Sequence, residues 1–275
     1  MALASQDTGL RQVPKPIRCH ANWALNFWEC REEVEVDVKE EKLLGDSVST
    51  HWYYVSKGRA LVEFLSERPA KEILDVGAGS GVFSRHLIDC GMTLGAVCVD
   101  PNYAREYNEN YNGASLSFVH TVTKVSQELI LMMDVLEHVD DDVGLLRGYS
   151  EKMRSGGRVV ITVPAFQFLW SGHDVYLEHR RRYTLSQIEN VAEQAGLRVQ
   201  HSRYFFGILF PVAVLIRLFD KLILAMGGSK ANSHLRPTSE IANVFLTRVH
   251  DFERRLLFPF NKMFGLTVFC LAVKD

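Results

Sequence analysis

The chain has 275 residues, 47% of them hydrophobic and 23% charged, which suits one large folded domain or a domain with an elaboration and excludes a disordered or fibrous chain. Its 31 basic and 33 acidic residues give a formal charge of -2, so the overall balance carries no footprint of a nucleic-acid binder. The cysteines, Cys19, Cys30, Cys90, Cys98 and Cys270, are odd in number and show no zinc-ligand spacing, which fits a reducing, cytoplasmic setting.

In chain order, residues 1–50 are polar, with Pro14, Pro16 and the acidic run "REEVEVDVKEEK", and read as an arm or lid or as a loosely ordered extension. They contain no apolar run of signal-peptide length. From His51 to Arg68 the apolar positions recur at helical spacing, and Pro69 ends the helix. Short β-branched runs follow: "KEILDVG", "LGAVCVD", "SLSFVH", "ELILMMD" and "GGRVVITVP". Helical segments, notably "GVFSRHLIDCG" and "DDDVGLLRGYSEKM", separate several of them. That alternation predicts parallel strands with crossover helices, hence an α/β doubly wound sheet. Beyond Pro164, "TLSQIENVAEQAG" reads as a helix with Thr184 as N-cap, Gln187 completing a capping box and Gly196 as the stop. "LRVQHSRYF" reads as a strand and "GLTVFCLAVKD" as the closing strand. The domain reading is an arm over 1–50, a core over 51–204, a helical insertion over 205–258 and a final core strand within 259–275. The run "FFGILFPVAVLI" is about half of the ~20 residues needed to cross a bilayer. Arg217, Asp220 and Lys221 interrupt its continuation, so no span is expected.

The most specific motif is "ILDVGAGSGVF", a strand that enters Gly77, Gly79 and Gly81 and then a helix. Glycines there let a ligand approach the main chain beside a helix N-terminus. A dinucleotide fingerprint would place a third glycine at Val82, and Asp75 before the turn would repel a pyrophosphate but attract the ammonium of an amino-acid moiety. A nicotinamide-dependent dehydrogenase is therefore disfavoured. Asp100 in "AVCVDPN", at the end of the next strand, is spaced to accept ribose hydroxyls.

With "LDVGAGSG", "CVDPN", "MMDVLEHVDD" and "GGRVVITVPAF" the chain resembles the class I S-adenosylmethionine-dependent methyltransferases, in the small-molecule group labelled type 11 or type 12. The resemblance covers roughly His51 to Phe205 plus the closing strand. It implies a Rossmann-like sheet of about seven strands, the last antiparallel, with S-adenosylmethionine as cofactor and S-adenosylhomocysteine as product. It further implies that Asp75, Gly77, Ala78, Gly79 and Gly81 cradle the methionine part, that Asp100 with Pro101 binds ribose, and that Met133, Asp134 and Val135 border the reactive centre. Tyr54 and Arg59, in an aromatic-rich entry helix, are candidates for the cofactor carboxylate or else ordinary core and surface residues. Many members have an acidic residue after the third strand for the adenine; here stand His120 and Thr121.

Methyl transfer requires alignment and, for a hydroxyl acceptor, a base. The segment "WSGHDVYLEHRRRYTL" offers His173 as general base, with Asp174 and His179 able to orient or share that role. His138 in "LEHV" is a further catalytic candidate. Trp170, Arg180, Arg182 and Tyr183 are candidate acceptor contacts, the arginines as anchors for a carboxylate or phosphate. Alternatively Asp174 and the arginines form a local ion-pair network. A metal on His173, Asp174 and His179 matches no recognised pattern, and none is assigned.

The expected activity is methylation of an oxygen or nitrogen on a small molecule, such as a secondary metabolite, a sugar or a lipid-linked glycan. A protein or RNA methyltransferase, or a non-catalytic scaffold of the same fold, are the alternatives. Phe205, Phe206, Phe210, Phe219 and Leu222 in the insertion suggest a cover over the site, a peripheral membrane contact for a lipid-linked substrate, a homodimer interface, or core.

Overall fold

The computed structural model describes residues 45–65, 68–225 and 238–275. Most of the expected arm, with Cys19 and Cys30, and the middle of the insertion lie outside them. A 3-10 turn (Gly45–Thr50) leads into helix α1 (Trp52–Leu65).

The sheet has strands β1 (Ile73–Val76), β2 (Gly95–Val99), β3 (Tyr107–Tyr111), β4 (Ala114–Val119), β5 (Leu129–Met133), β6 (Arg158–Pro164), β7 (Arg198–Phe205) and β8 (Thr267–Val273). Their spatial order is β3-β4-β2-β1-β5-β6-β8-β7. The strands from β4 to β6 pair in parallel, whereas β8 lies antiparallel between β6 and β7. The order reverses at β1, so the carboxyl ends of β1 and β5 form the crevice where doubly wound sheets bind ligands.

One edge strand exceeds the expected set. β3 pairs antiparallel with β4 through Asn112 and Gly113, whose φ angles of 50° and 85° suit a two-residue hairpin turn. The Asn-Gly dipeptide was a signal for that hairpin.

β5 and β8 are buried along their whole length, as central strands covered on both faces must be. On one face pack α3 (Asp142–Ser150) and α5 (Leu185–Gln194); on the other pack α1 and α2 (Val82–Asp89). α5 has the anticipated cap: the Thr184 hydroxyl accepts from the Gln187 N–H, and the Gln187 side chain accepts from the Thr184 N–H at 2.8 Å.

The insertion comprises α6 (Phe210–Ala225) and α7 (Glu240–Leu256). α7 is fastened to α1 by ion pairs Arg59–Asp251 (2.5 Å) and Arg254–Glu63. Buried Glu253 accepts the Gly207 N–H (2.5 Å) and pairs with His250 (2.9 Å), which anchors α7 to the end of β7. Among the described residues no helix is long and apolar enough to cross a membrane.

Candidate active site

A cavity of about 320 Å³ opens at the carboxyl ends of β1, β5 and β6. Asp75, Gly77 and Ala78 form its floor; Trp52, Tyr53 and Tyr54 of α1 stand opposite; Ala213 and Arg217 of α6 reach its rim. The far wall holds His138, on a 3-10 turn (Leu136–His138) after β5, and His173 on α4 (Gly172–Tyr176), with His179 and Arg182 just beyond.

The floor is built for close approach. Gly77, Gly79 and Gly81 have φ of +67°, +49° and +73°, and a Cβ at Gly77 would sit 2.7 Å from Val135 Cγ2. Val135 therefore packs under the turn and supports it. Asp75 is 1% exposed and accepts the Ser84 hydroxyl at 2.7 Å. Burial pushes its carboxyl up to about 7, the Ser84 hydrogen bond opposing and the Asp100 charge adding. Asp100, at the end of β2, accepts from the Asn102 N–H (2.9 Å) and from the Gly79 N–H, and burial raises its carboxyl too. The Tyr103 hydroxyl donates to the Gly79 carbonyl (2.8 Å), so the loop after β2 is tied to the glycine turn.

These residues fit an S-adenosylmethionine: only glycine suits the turn, and the buried carboxyl of Asp75 lines the cavity floor beside it, a group of the charge that an ammonium needs. Below pH 7 free Asp75 holds a proton that a bound ammonium displaces, so affinity should rise by up to ~10-fold per pH unit toward pH 7 and level off above it. It should fall again once the ligand's own α-amino group, with its pKa of about 7.7–8.0, loses its proton. Calorimetric Kd values across pH 5.5–8.5 check this; a flat profile below 7 would separate Asp75 from the ammonium.

A buried ion pair joins α1 to the edge of β5. Lys57 is fully buried and its ammonium meets the Asp134 carboxylate; the Tyr53 hydroxyl (3.2 Å) and Thr162 hydroxyl (3.2 Å) also donate to that carboxylate. Burial opposes the charge on Asp134, yet Lys57 outweighs it and holds the carboxyl below its usual range. Asp134, Phe166 and Glu178 all have φ of +59°, uncommon backbone gathered at this edge of the sheet.

The wall is organised by Asp174, which is fully buried. It accepts from His179 Nδ1 (3.0 Å), from Arg182 Nε (2.6 Å) and from the Ser171 N–H (2.8 Å). Burial would raise its carboxyl, but the His179 and Arg182 hydrogen bonds hold it well below the usual range. His138 contacts His179 edge to face, centroids 4.6 Å apart. Burial and the neighbouring His179 bring the His138 imidazole down to about 3, so it is neutral.

The other sequence candidates fall outside the cavity wall. Arg59 lies on the outer face of α1, in a separate groove with His86 and Arg254. Lys57 and Tyr53 share the inner face because they are four residues apart, whereas Arg59 is turned away by its two-residue offset. Arg180 faces exposed Asp140 at 3.5 Å. Arg181 holds Asp142 (3.2 Å) and the Val139 and Asp140 carbonyls. Tyr183 is buried, its hydroxyl donating to Asp142 (2.7 Å) and the Leu136 carbonyl (3.1 Å). Asp100, Pro101 and Trp170 likewise do not line the cavity. Sequence reasoning missed Tyr53, Lys57 and Glu137; a lysine on the apolar stripe of the entry helix was the one available signal.

Residues 51–202 match a family model described as a methyltransferase domain. A mitochondrial ubiquinone biosynthesis O-methyltransferase of Schizosaccharomyces pombe is 30% identical over 103 residues, 34% of this chain and 37% of its own. The ubiquinone biosynthesis O-methyltransferase of Aeromonas salmonicida is 24% identical over 152 residues, 47% of this chain and 64% of its own. The chain thus spans less than two thirds of either relative. Among solved structures, a chain of the complex between the Haloferax volcanii Trm112 methyltransferase activator and a methyltransferase superposes with a TM-score of 0.52 at 16% identity, covering 88% of this chain and 98% of that one. Phosphoethanolamine N-methyltransferase 2 of Haemonchus contortus, in complex with S-adenosyl-L-methionine, superposes with a TM-score of 0.50 at 17% identity, covering 95% of this chain and 62% of that one. With the glycine turn, the fold and the family match in agreement, the chain belongs to the methyltransferase-domain family, in the class I group whose cofactor is S-adenosylmethionine.

Proposed function

We propose that the chain transfers a methyl group to a hydroxyl oxygen of a small-molecule acceptor with an apolar body. The observation that carries this reading is one cavity with the glycine floor on one side and His138, His173 and His179 on the other, between apolar walls that include Trp52, Phe83 and Leu177. The cofactor, when bound, supplies an electrophilic methyl on sulfur. The acceptor oxygen forms the new bond to carbon as the carbon–sulfur bond breaks, and its proton passes to His173 as general base. Asp174 fixes His179 by its Nδ1, and the aromatic residues of α1 exclude water. The ubiquinone-forming relatives, whose acceptors are oxygens, support a small-molecule O-acceptor.

α6 lends Ala213 and Arg217 to the cavity while its outward Val212, Leu215 and Phe219 are exposed, as are Ile241 and Phe245 of α7. We read these faces as a peripheral contact with a membrane in which a lipid-linked acceptor resides, on its cytoplasmic side. His173→Gln should lower kcat by ~10²–10⁴-fold with Kd for S-adenosylmethionine unchanged. The check is product formation on phenols with and without a polyprenyl tail, in detergent and on anionic vesicles. Equal turnover of tailed and tailless phenols, with no vesicle binding, would remove the lipid-linked acceptor. Methylation of amines alone, or no loss in His173→Gln, would remove the hydroxyl chemistry.

A further inference from the structure

The geometry points to a divalent transition-metal site formed by Glu137, His138 and His179 on the wall of the cavity. One potential ligand atom from each of these side chains lies within 4.8 Å of the other two. Zinc-class ions bind imidazole nitrogen at about 2.0–2.1 Å and carboxylate oxygen at about 2.0–2.2 Å, so the ligand atoms of one ion lie about 3–4 Å apart, a spacing that the 4.8 Å limit admits. Two imidazoles and a carboxylate suit zinc, manganese or iron rather than calcium or magnesium.

Independent features of the wall agree. His138 is 9% exposed, and its Nδ1 is buried with no hydrogen-bond partner among the described residues. A buried ring nitrogen in that condition is rare unless an ion or water satisfies it. His179 donates its Nδ1–H to Asp174 (3.0 Å), so the ring nitrogen turned away from the carboxylate, Nε2, is the one available to an ion. A carboxylate behind a histidine in this manner is the usual outer support of a metal ligand, because it fixes both tautomer and ring direction. Arg182 grips the same Asp174 from Nε (2.6 Å) and a terminal nitrogen (3.0 Å), so the support stays anionic.

The two ligand-bearing segments are also locked together. The Arg180 N–H donates to the Glu137 carbonyl (2.6 Å), Arg181 to the Val139 and Asp140 carbonyls, and the Tyr183 hydroxyl to the Leu136 carbonyl. The three-arginine run thus acts as a clasp that sets His179 against Glu137 and His138. A set of His173, Asp174 and His179, which matched no recognised spacing, gains no support either, since both Asp174 oxygens are engaged by His179, Arg182 and Ser171.

Such an ion would bind the acceptor oxygen and lower its pKa, easing loss of the proton to His173. This role rests on the proposed methyl transfer to oxygen; the binding of the ion does not. The test uses the purified full chain, stripped with chelator and titrated with Co²⁺ as the visible probe, with Zn²⁺ in competition. The expected result is a d–d band that saturates at one Co²⁺ per chain and is bleached by Zn²⁺. Glu137→Gln and His138→Gln should each weaken binding at least ~100-fold with melting temperature and cofactor affinity retained, and Asp174→Asn about 10–100-fold with a lower melting temperature, because it leaves Arg182 without its buried partner. A stripped chain should lose methyl transfer and regain it with metal. Absence of the Co²⁺ band, or a band indifferent to Glu137→Gln and His138→Gln, would overturn the site. A stripped chain that remains fully active would overturn its catalytic role, whereas a chain that binds Co²⁺ yet methylates no hydroxyl would overturn the functional reading alone.

Discussion

Replacing Lys57 with methionine is expected to destabilise the fold by about 3 kcal/mol, because it leaves the Asp134 carboxylate facing a desolvated pocket without its counter-charge. Removal of one partner of a buried pair costs about 3–5 kcal/mol; the lower end applies because the Lys57 side chain is 0% and the Asp134 side chain 26% exposed, so water screens one end. For a domain of this size that corresponds to a fall in melting temperature of roughly 6–12 °C. The double variant Lys57→Met with Asp134→Asn should recover most of the loss. Asparagine tolerates the left-handed backbone at position 134, where φ is +59°, and can still accept from the Thr162 hydroxyl. Thermal melts of the single and double variants decide the point: a double variant as unstable as the single would mean that lost packing of the lysine stem, not the orphaned charge, is the cause.

Gly77→Ala is expected to abolish cofactor binding, with Kd raised at least ~100-fold. The left-handed backbone costs an alanine about 1–2 kcal/mol, and the new Cβ would lie 2.7 Å from Val135 Cγ2. Val135 is 5% exposed in the core beneath the turn and has little room to withdraw, so the turn itself must shift. Adding Val135→Ala should restore part of the affinity by removing the clash while leaving the backbone strain. Calorimetry with S-adenosylhomocysteine reads both terms, and near-native binding by Gly77→Ala would show that the turn does not hold the ligand.

The insertion shows how composition leaves the placement of a segment open. Of the environments anticipated for its aromatic residues, core holds for Phe205 and Phe206, whereas Phe210 stacks on Phe264 at 5.4 Å and Phe219 is 62% exposed. Nothing local in a run of apolar residues says which side of a helix will find a partner, because that depends on where the sheet ends and which helix is already packed there. α7 meets α1 through charged residues, Arg59 with Asp251 and Arg254 with Glu63, a pairing across about 190 positions that no window of sequence contains.

The features that the chain determines by itself are those written in short stretches: the strand and helix alternation, the glycine turn after Asp75, the Thr184 capping box and the Asn112–Gly113 hairpin turn. Each is set by backbone sterics or by hydrogen bonds among near neighbours. The tertiary structure decided the use of each polar side chain. Arg180, Arg181 and Arg182 are indistinguishable in sequence, yet an extended segment turns successive residues to different sides, and only Arg182 reaches Asp174 and the cavity. Lys57, 77 positions from Asp134, and Glu137, about 40 positions from His179, became site residues only when α1 and the segment after α4 closed over the edge of the sheet. Burial gave those pairs their meaning, since a charge or imidazole acquires a strong preference for a particular partner only once water has been removed around it.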